Sequence, residues 1–189
     1  MTYPAMAPRR HHLTVSQFQQ MIAHGILTKD DRVELLNGEI LAMSPINPSH
    51  AGIVKRLNHL FNNLIPADVI IAVQDPVQLD DISQPQPDVC LLKATADFYQ
   101  SRHPRPEDVL LVIEVAETSA RLDRAVKRPA YARAGIAELW IIDLKKKVVE
   151  VYRHPVNGAY QTTLLVRGGQ TLAPQALPDV EIQAAMLLS

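Results

Sequence analysis

The chain has 189 residues, of which 47% are hydrophobic and 21% are charged, enough for one domain with a sizeable core. This composition excludes a collagen-like chain, a disulfide scaffold and a wholly disordered chain. Nineteen Lys and Arg residues oppose 20 Asp and Glu residues, a net charge of −1. The chain therefore lacks the basic excess that is typical of a dedicated duplex-binding protein.

Short apolar runs and a single cysteine predict a cytoplasmic protein without a membrane span. A membrane-spanning helix needs about 20 apolar residues, and the runs here are shorter. No apolar segment directly follows Arg9 to His12, so we expect no signal peptide. Cys90 cannot form an internal disulfide, which fits a reducing compartment.

In chain order, residues 1–12 are predicted to be a flexible tail and residues 13–189 a single domain. A helix is expected to begin at Ser16, whose pairing with Gln19 resembles a capping box, and to end at Gly25. Residues 32–43 predict a hairpin because Asn-Gly separates two apolar runs. Pro45 and Pro48 predict a loop after it.

Residues 50–65 carry apolar side chains at three- and four-residue steps, the pattern of an amphipathic helix. A second helix is predicted over 121–134, kinked at Pro129. The predicted strands are 69–73, 77–79, 88–92, 109–115, 138–143, 148–153 and 160–166. This order indicates an α/β or α+β fold, with a mixed central sheet flanked by helices and antiparallel hairpins at both ends.

Glu114 is the most informative residue, because it interrupts the apolar run of residues 109–116. A strand of this kind is buried on both faces. An ionised carboxylate there costs several kcal/mol, on the order of the usual penalty for buried charge, unless it is paired or binds a metal. Residues on the same face, such as Val112 and Ala116, cannot compensate it. A partner from elsewhere is expected, unless Glu114 lies at a solvated strand end.

Asp88 and Lys127 are weaker candidates when each is taken alone. Asp88 follows Pro87 and begins a strand, so it could simply cap a turn. Lys127 lies four residues after Asp123 on one helix face, a spacing that also fits a partly solvated surface ion pair. The helix of Lys127 leaves the end of Glu114's strand, however, and can face the same sheet edge. Two carboxylates and a lysine there suit phosphodiester hydrolysis with Mg²⁺.

A set of short motifs resembles the Uma2 family, also called DUF820, from about residue 13 to residue 166. The motifs are Glu-Leu-Leu-Asn-Gly at 34–38, Met-Ser-Pro at 43–45, His50, Pro87-Asp88, Ile-Glu-Val at 113–115, Asp123 with Lys127, Tyr-Ala-Arg-Ala-Gly at 131–135 and Leu-Trp-Ile-Ile-Asp at 139–143. The resemblance implies a restriction-endonuclease-like fold with a PD-(D/E)XK nuclease site.

The resemblance assigns Asp88 and Glu114 to the two acidic elements of that site. Ala116 stands where the plain motif has lysine, and the resemblance makes Lys127, on the following helix, the candidate. Glu34 matches an early glutamate that completes the metal site in related nucleases. The expected catalytic residues are thus Asp88, Glu114, Lys127 and Glu34, with the three acids as ligands of Mg²⁺, for which Mn²⁺ would substitute.

Three other residues are candidates for substrate contacts or for support of the site. His50 opens the long helix and would contact phosphate or water, or is simply a polar helix start. Gln84 lies in the loop before Asp88 and could face substrate, and Asp123 is expected to orient Lys127.

The leading interpretation is a Mg²⁺-dependent endonuclease acting on DNA. The alternatives are a catalytically inactive nuclease-fold module that acts in binding or assembly, and a nucleotide or RNA hydrolase with the same site. The near-neutral charge favours the inactive module, whereas unpaired acids in apolar strands favour the enzyme. A homodimer is plausible because antiparallel edge strands can pair with a second copy.

Overall fold

A six-stranded mixed sheet forms the centre of the fold. The computed structural model describes residues 11–28 and 30–188, so most of the predicted tail, residues 1–10, lies outside the described residues. The strands, in spatial order, are β3 (Val69–Val73), β4 (Val89–Lys93), β5 (Val109–Ala116), β6 (Glu138–Asp143), β7 (Val148–Val156) and β8 (Ala159–Val166). Only β5 and β6 pair in parallel, and the other neighbours in this sheet are antiparallel. The predicted α+β fold is confirmed.

The parallel pair is joined by a helical crossover that replaces the single predicted helix. It consists of α3 (Ala120–Leu122), a π-helical turn (Asp123–Lys127) and α4 (Arg128–Arg133). The wide turn stands directly before the segment of Pro129, whose ring nitrogen cannot donate a helical hydrogen bond. Gly135 follows with a φ of 80°, which suits the end of a helix.

Two hydrophobic layers bury the two faces of the sheet. On one face, α2 (Pro48–Leu64) packs Leu57 and Phe61 against Leu91, Ile113 and Trp140. On the other face, Tyr131 of the crossover and Ile136, which follows it, pack against alternate residues of the same strands, namely Cys90, Val112 and Ile141. Side chains alternate along β5, so Glu114 shares a face with Val112 and points to the side covered by the crossover.

A separate N-terminal hairpin carries Glu34 to the sheet. Its strands are β1 (Val33–Leu36) and β2 (Glu39–Ala42), and Asn37 and Gly38 between them have φ values of 51° and 75°. These angles match the turn that the Asn-Gly pair predicts. The hairpin is held to the loop before β4 because Gln84 N donates to Leu35 O over 2.7 Å.

The first helix and the second helix both begin at different residues from those predicted. For α1 (Val15–Ala23), the capping box is formed by Thr14 and Gln17, two positions before the predicted pair. For α2, Pro48 is not in a loop but in the first turn, where a proline loses no helical hydrogen bond. Asn47 is the N-cap of that helix, and its side chain accepts from His50 N over 2.9 Å.

The predicted strand over residues 77–79 is wrong. Val77 N donates to Pro85 O and Leu79 N donates to Ser83 O, both over 2.9 Å. The segment folds back on its own loop, so its backbone groups are satisfied without a sheet partner. Two short strands, β9 (Thr171–Leu172) and β10 (Ile182–Gln183), pair after the sheet, and a 3-10 helix (Ala184–Leu187) follows them. Within the described residues, no helix is long and apolar enough to span a membrane.

Candidate active site

The register of two central strands brings Asp88 and Glu114 to neighbouring positions. Val89 of β4 lies opposite Ile113 of β5, and one further step along this antiparallel pairing sets Asp88 beside Glu114. Val115 N donates to Oδ2 of Asp88 over 2.8 Å, which fixes this carboxylate at the sheet edge. Both acids are buried, with 8% of Asp88 and 3% of Glu114 exposed.

Lys127 lies between two buried glutamates. Its Nζ is 3.2 Å from Oε1 of Glu114 and 3.2 Å from Oε1 of Glu34. Only 5% of Lys127 is exposed, so the expectation of a partly solvated surface position is wrong. The π-helical turn that contains Lys127 packs inward over the sheet, which removes this residue from water. Glu34 is also held by Gln86 N, which donates to its Oε2 over 3.0 Å.

Six of the seven candidate residues line one cavity, which we call the central cleft. Its lining residues come from β1 and its flanks, the loop between β2 and α2, the start of α2, the loops before β4, the end of β5 and the crossover: Arg32, Glu34, Met43, Ser44, Pro45, Ile46, Asn47, His50, Gln74, Gln86, Asp88, Glu114, Val115, Glu117, Thr118, Ser119, Leu122, Asp123 and Lys127. Residues from distant parts of the chain therefore meet at one sheet edge.

Gln84 is the candidate that the structure does not bring to the central cleft. It is 5% exposed, and its side chain accepts a hydrogen bond from Gln19 Nε2 over 3.0 Å. This contact holds α1 against the loop before β4. Gln86, two residues further along the same loop, lines the cleft instead.

His50 and Asp123 support the acids from two sides of the cleft. His50 Nε2 is 3.0 Å from Oδ2 of Asp88, and this hydrogen bond raises the pKa of His50. Its other ring nitrogen, Nδ1, is buried and has no hydrogen-bond partner among the described residues. Asp123 accepts from the Ser119 hydroxyl over 2.7 Å and forms no ion pair within 4 Å with Lys127 among the described residues.

The central cleft holds an excess of acidic groups. Burial raises the pKa of Glu114 well above its usual range, although Lys127 opposes this effect. Burial also raises the pKa of Asp123 to about 6. Burial alone would lower the pKa of Lys127, but Glu114 and Glu34 outweigh it and keep the ammonium charged. One buried lysine thus faces several carboxylates, and an added cation would relieve their repulsion.

Tyr131 is a site residue that was not among the seven candidates. Its hydroxyl donates to Oε1 of Glu114 over 2.7 Å, and the ring is fully buried. Tyr131 follows Lys127 by four positions, a spacing that places both side chains on one helix face. The four-residue spacing from Lys127 is the sequence signal for a role of Tyr131 in the site. It is easily missed, because an aromatic residue among alanines is usually a packing residue.

The carboxylate oxygens of the central cleft suit a hard divalent cation that is bound by few protein side chains. Within the described residues, no group of three or more His, Cys, Asp or Glu side chains is arranged to hold a metal ion. The three acids expected around one ion are therefore not pre-assembled, since Lys127 stands between Glu34 and Glu114. Mg²⁺ usually binds through one or two carboxylates with waters and substrate phosphates, a requirement that Asp88 and Glu114 can meet.

The comparisons with known proteins agree with this fold. The structure places this protein in the class of α+β domains. Acidic side chains and a lysine are buried at the edge of its mixed sheet. The chain belongs to the Uma2 family, described as "Putative restriction endonuclease", whose family model matches residues 15–186. No curated protein matches the chain.

Five chains of solved structures match. One is described as "a putative nuclease belonging to DUF820 from Anabaena variabilis ATCC 29413". It superimposes with a TM-score of 0.71 at 13% sequence identity, and the match covers 93% of this chain and 97% of that chain. At this identity the likeness shows a shared fold.

Proposed function

We propose that this protein is a Mg²⁺-dependent endonuclease that hydrolyses phosphodiester bonds of DNA. The observation that carries the proposal is the position of Lys127, whose ammonium lies 3.2 Å from both Glu114 and Glu34 inside the central cleft. Membership of a family described as "Putative restriction endonuclease" supports the same reaction class. Burying Glu34, Asp88, Glu114 and Lys127 is costly for folding. A role in hydrolysis would explain why these residues are buried together.

Asp88 and Glu114 would hold the divalent cation, with Mn²⁺ able to substitute. When bound, the cation supplies charge neutralisation at the phosphate and makes a water molecule more acidic. Glu34 is the third candidate ligand, and it can join only if Lys127 gives up one of its two contacts. An acidic cleft repels a phosphodiester, so a cation is also needed for the substrate to enter.

The side chains of the chain itself would orient the reacting groups. Lys127 donates hydrogen bonds in a site that contains little water, where a positioned donor stabilises developing negative charge. Tyr131 and Glu34 hold Glu114 and Lys127 in place. His50 keeps Asp88 oriented through the Nε2–Oδ2 contact of 3.0 Å. The negative charge of Asp123 adds to those of Glu114 and Glu34 in keeping Lys127 charged.

A catalytically inactive nuclease-fold module that binds or assembles is the second candidate. It is favoured by the net charge of the chain, which at −1 provides no overall attraction to nucleic acid. Fold alone does not decide between these functions. A nucleotide or RNA hydrolase with the same site would differ from the first proposal only in substrate.

The test is incubation of the purified protein with plasmid DNA, single-stranded DNA and RNA of matched length. Each substrate is combined with Mg²⁺, Mn²⁺ or EDTA. Glu114→Gln tests the cleft, and Glu138→Gln is the matched control, because Glu138 is equally buried but pairs with Arg153 outside the cleft. Cleavage of DNA that EDTA and Glu114→Gln abolish supports the proposal. Intact substrates under every condition favour the inactive module.

We also propose a cytoplasmic location and a homodimer. The location rests on the single, buried Cys90. The dimer rests on β8, which forms one edge of the six-stranded sheet and exposes Leu164 and Leu165. An edge strand offers unpaired backbone groups to a second copy. Light scattering with size-exclusion chromatography tests the dimer, and Leu165→Lys should shift a dimer toward the monomer.

A further inference from the structure

A second depression adjoins the central cleft, and its charge is opposite. We call it the basic depression, and its cationic lining residues are Arg121, Arg124, Arg128, Lys145 and Lys146. Glu117 and Thr118 line both cavities. The two hollows therefore meet at the segment that links β5 to the crossover.

Arg124 is the structural anchor of this depression. Its guanidinium contacts Oδ2 of Asp143 over 2.5 Å and Oε1 of Glu150 over 2.7 Å. Asp143 in turn accepts from Lys146 N over 2.9 Å, which fixes the turn between β6 and β7. These contacts tie the crossover to the turn, so that Arg121 and Lys145 line the same hollow.

Three cations of the basic depression remain available to a ligand. Arg121, Lys145 and Lys146 are exposed, and within residues 11–28 and 30–188 their side chains form no hydrogen bond and no ion pair within 4 Å. The remaining arginine, Arg128, lies 5.2 Å from the ring centre of Tyr152. Arg124 is paired with two acids, and nearby Lys146 also lowers the pKa of both. The exposed side chains of Arg121, Lys145 and Lys146 thus face solvent beside an acidic cleft.

The other side of the central cleft has a different character. The hollow there shares Arg32, Glu34 and Gln86 with the cleft and is otherwise lined largely by apolar and amide side chains such as Phe18 and Ile22. The net charge of the chain is only −1. The lysine and arginine side chains on one side of the cleft are therefore a local positive patch on a chain that is nearly neutral overall. A ligand with a repeated negative charge would be attracted to that side.

We infer that the basic depression binds the phosphate backbone of the nucleic acid on one side of the scissile bond. This inference rests on the proposed nuclease function, because the adjoining cleft supplies the position of the reacting phosphate. Arg121, Lys145 and Lys146 contact consecutive phosphates without reading the sequence. They set the direction in which the strand leaves the cleft, and they compensate for the low overall charge of the chain.

The experiment measures binding of fluorescein-labelled duplex DNA and duplex RNA of one sequence by anisotropy, in EDTA, over a series of salt concentrations. The variant is Arg121→Ala/Lys145→Ala/Lys146→Ala. The control is Lys55→Ala/Lys93→Ala/Arg105→Ala, which removes three exposed cations that line neither hollow. Circular dichroism verifies that both variants are folded.

The wild type and the control are expected to share one salt dependence. The variant should bind more weakly, and its slope of log K against log salt should be smaller by about 2 to 3, since each phosphate contact contributes roughly 0.9 on B-DNA. Weaker binding of DNA and RNA alike identifies backbone contacts. Equal slopes for the variant and the control, or no binding by the wild type, would overturn the inference.

Binding and cleavage can fail separately. If the wild type binds DNA through these residues but never cleaves it, the proposed nuclease function fails and the binding surface stands. If DNA is cleaved and the variant keeps both the wild-type KM and the wild-type salt dependence, the nuclease function stands and the binding surface is refuted.

Discussion

Nζ of Lys127 lies 3.2 Å from Oε1 of Glu114, a residue thirteen positions earlier in the chain. The contact joins the central strand β5 to the helical crossover that follows it, and it is completed by Glu34 from the N-terminal hairpin. Neither charge is solvated, so each depends on the other. Because the two charges depend on each other, the Lys127–Glu114 pair is the best place to test the proposed function of the central cleft.

Lys127→Met is expected to lower both the rate of cleavage and the stability. Loss of a positioned donor should reduce single-turnover cleavage roughly 10²- to 10³-fold. A partly solvated lysine would cost no more than about 1 kcal/mol, but removal of this buried partner leaves two acids uncompensated and should cost about 3 kcal/mol. Urea unfolding and single-turnover kinetics measure the two effects.

The two effects can be separated by assaying Lys127→Met well below its unfolding midpoint. Lys93→Met provides the control, since Lys93 is exposed and its ammonium donates to the carbonyl of Glu107. A folded Lys127→Met protein with the wild-type rate would limit Lys127 to a structural role.

Added Mg²⁺ or Mn²⁺ should raise the melting temperature of the wild type. A ligand at about 100 times its Kd stabilises the folded state by about 2.7 kcal/mol, which is roughly 5–10 °C for a domain of this size. Glu114→Gln should abolish the response, whereas Glu138→Gln should retain it. Differential scanning calorimetry across a metal series provides the measurement, and identical shifts in both variants would show that the cation binds elsewhere.

Tyr131→Phe should destabilise the protein, because the Tyr131 hydroxyl donates to Glu114 over 2.7 Å. Loss of a hydrogen bond to a buried acid is expected to cost about 1–2 kcal/mol. Tyr160→Phe is the matched control. The Tyr160 hydroxyl is buried without a hydrogen-bond partner among the described residues, so its removal should be neutral or stabilising. Equal losses in denaturant unfolding would contradict the assigned contact.

Arg124→Leu should destabilise the protein at neutral pH but not in acid. Burial alone would raise the pKa values of Asp143 and Glu150, yet hydrogen bonds from Arg124 lower both. Their contribution is therefore present above the unfolded pKa values of about 4 and is lost as the pH falls through the folded values. Lys146 and Tyr152 also face these acids and remain in the variant.

Arg124→Leu is expected to lower the free energy of unfolding by about 2–3 kcal/mol at pH 7. This loss is smaller than for a fully buried ion pair, because the side chain of Arg124 is 24% exposed. The gap between wild type and variant should narrow as the pH is lowered from about 5 to about 3, where the acids take up protons. Urea unfolding at several pH values gives the comparison, and a gap that stays constant would refute the ion-pair explanation.

Local sequence patterns predicted most of the fold. The Asn37-Gly38 turn, the apolar stripe of α2 and the apolar run of β5 each depend on neighbouring residues, and all three were predicted correctly. The start of α1 was misplaced because Thr14 and Ser16 are chemically equivalent as N-caps. The prediction of a strand at residues 77–79 was wrong, because a short apolar run cannot reveal whether a partner strand exists.

The environment of Lys127 could not be predicted from local spacing. Its position four residues after Asp123 suggested a surface pair, but the π-helical turn rotates it into the sheet, where its partners are Glu114 and Glu34. The isolated acid in an apolar strand did indicate that a partner must exist. Which residue would supply it depended on the crossover of β5 to β6, a long-range feature.

The most direct test is the initial rate of cleavage of a labelled DNA duplex as a function of Mg²⁺ concentration. We expect the wild type and Glu138→Gln to show saturable Mg²⁺-dependent cleavage. Glu114→Gln and Asp88→Asn, folded by circular dichroism, should be reduced at least roughly 10²-fold at every concentration. Wild-type rates in both cleft variants, or cleavage that persists in EDTA, would contradict the assignment of the central cleft as a metal-dependent nuclease site.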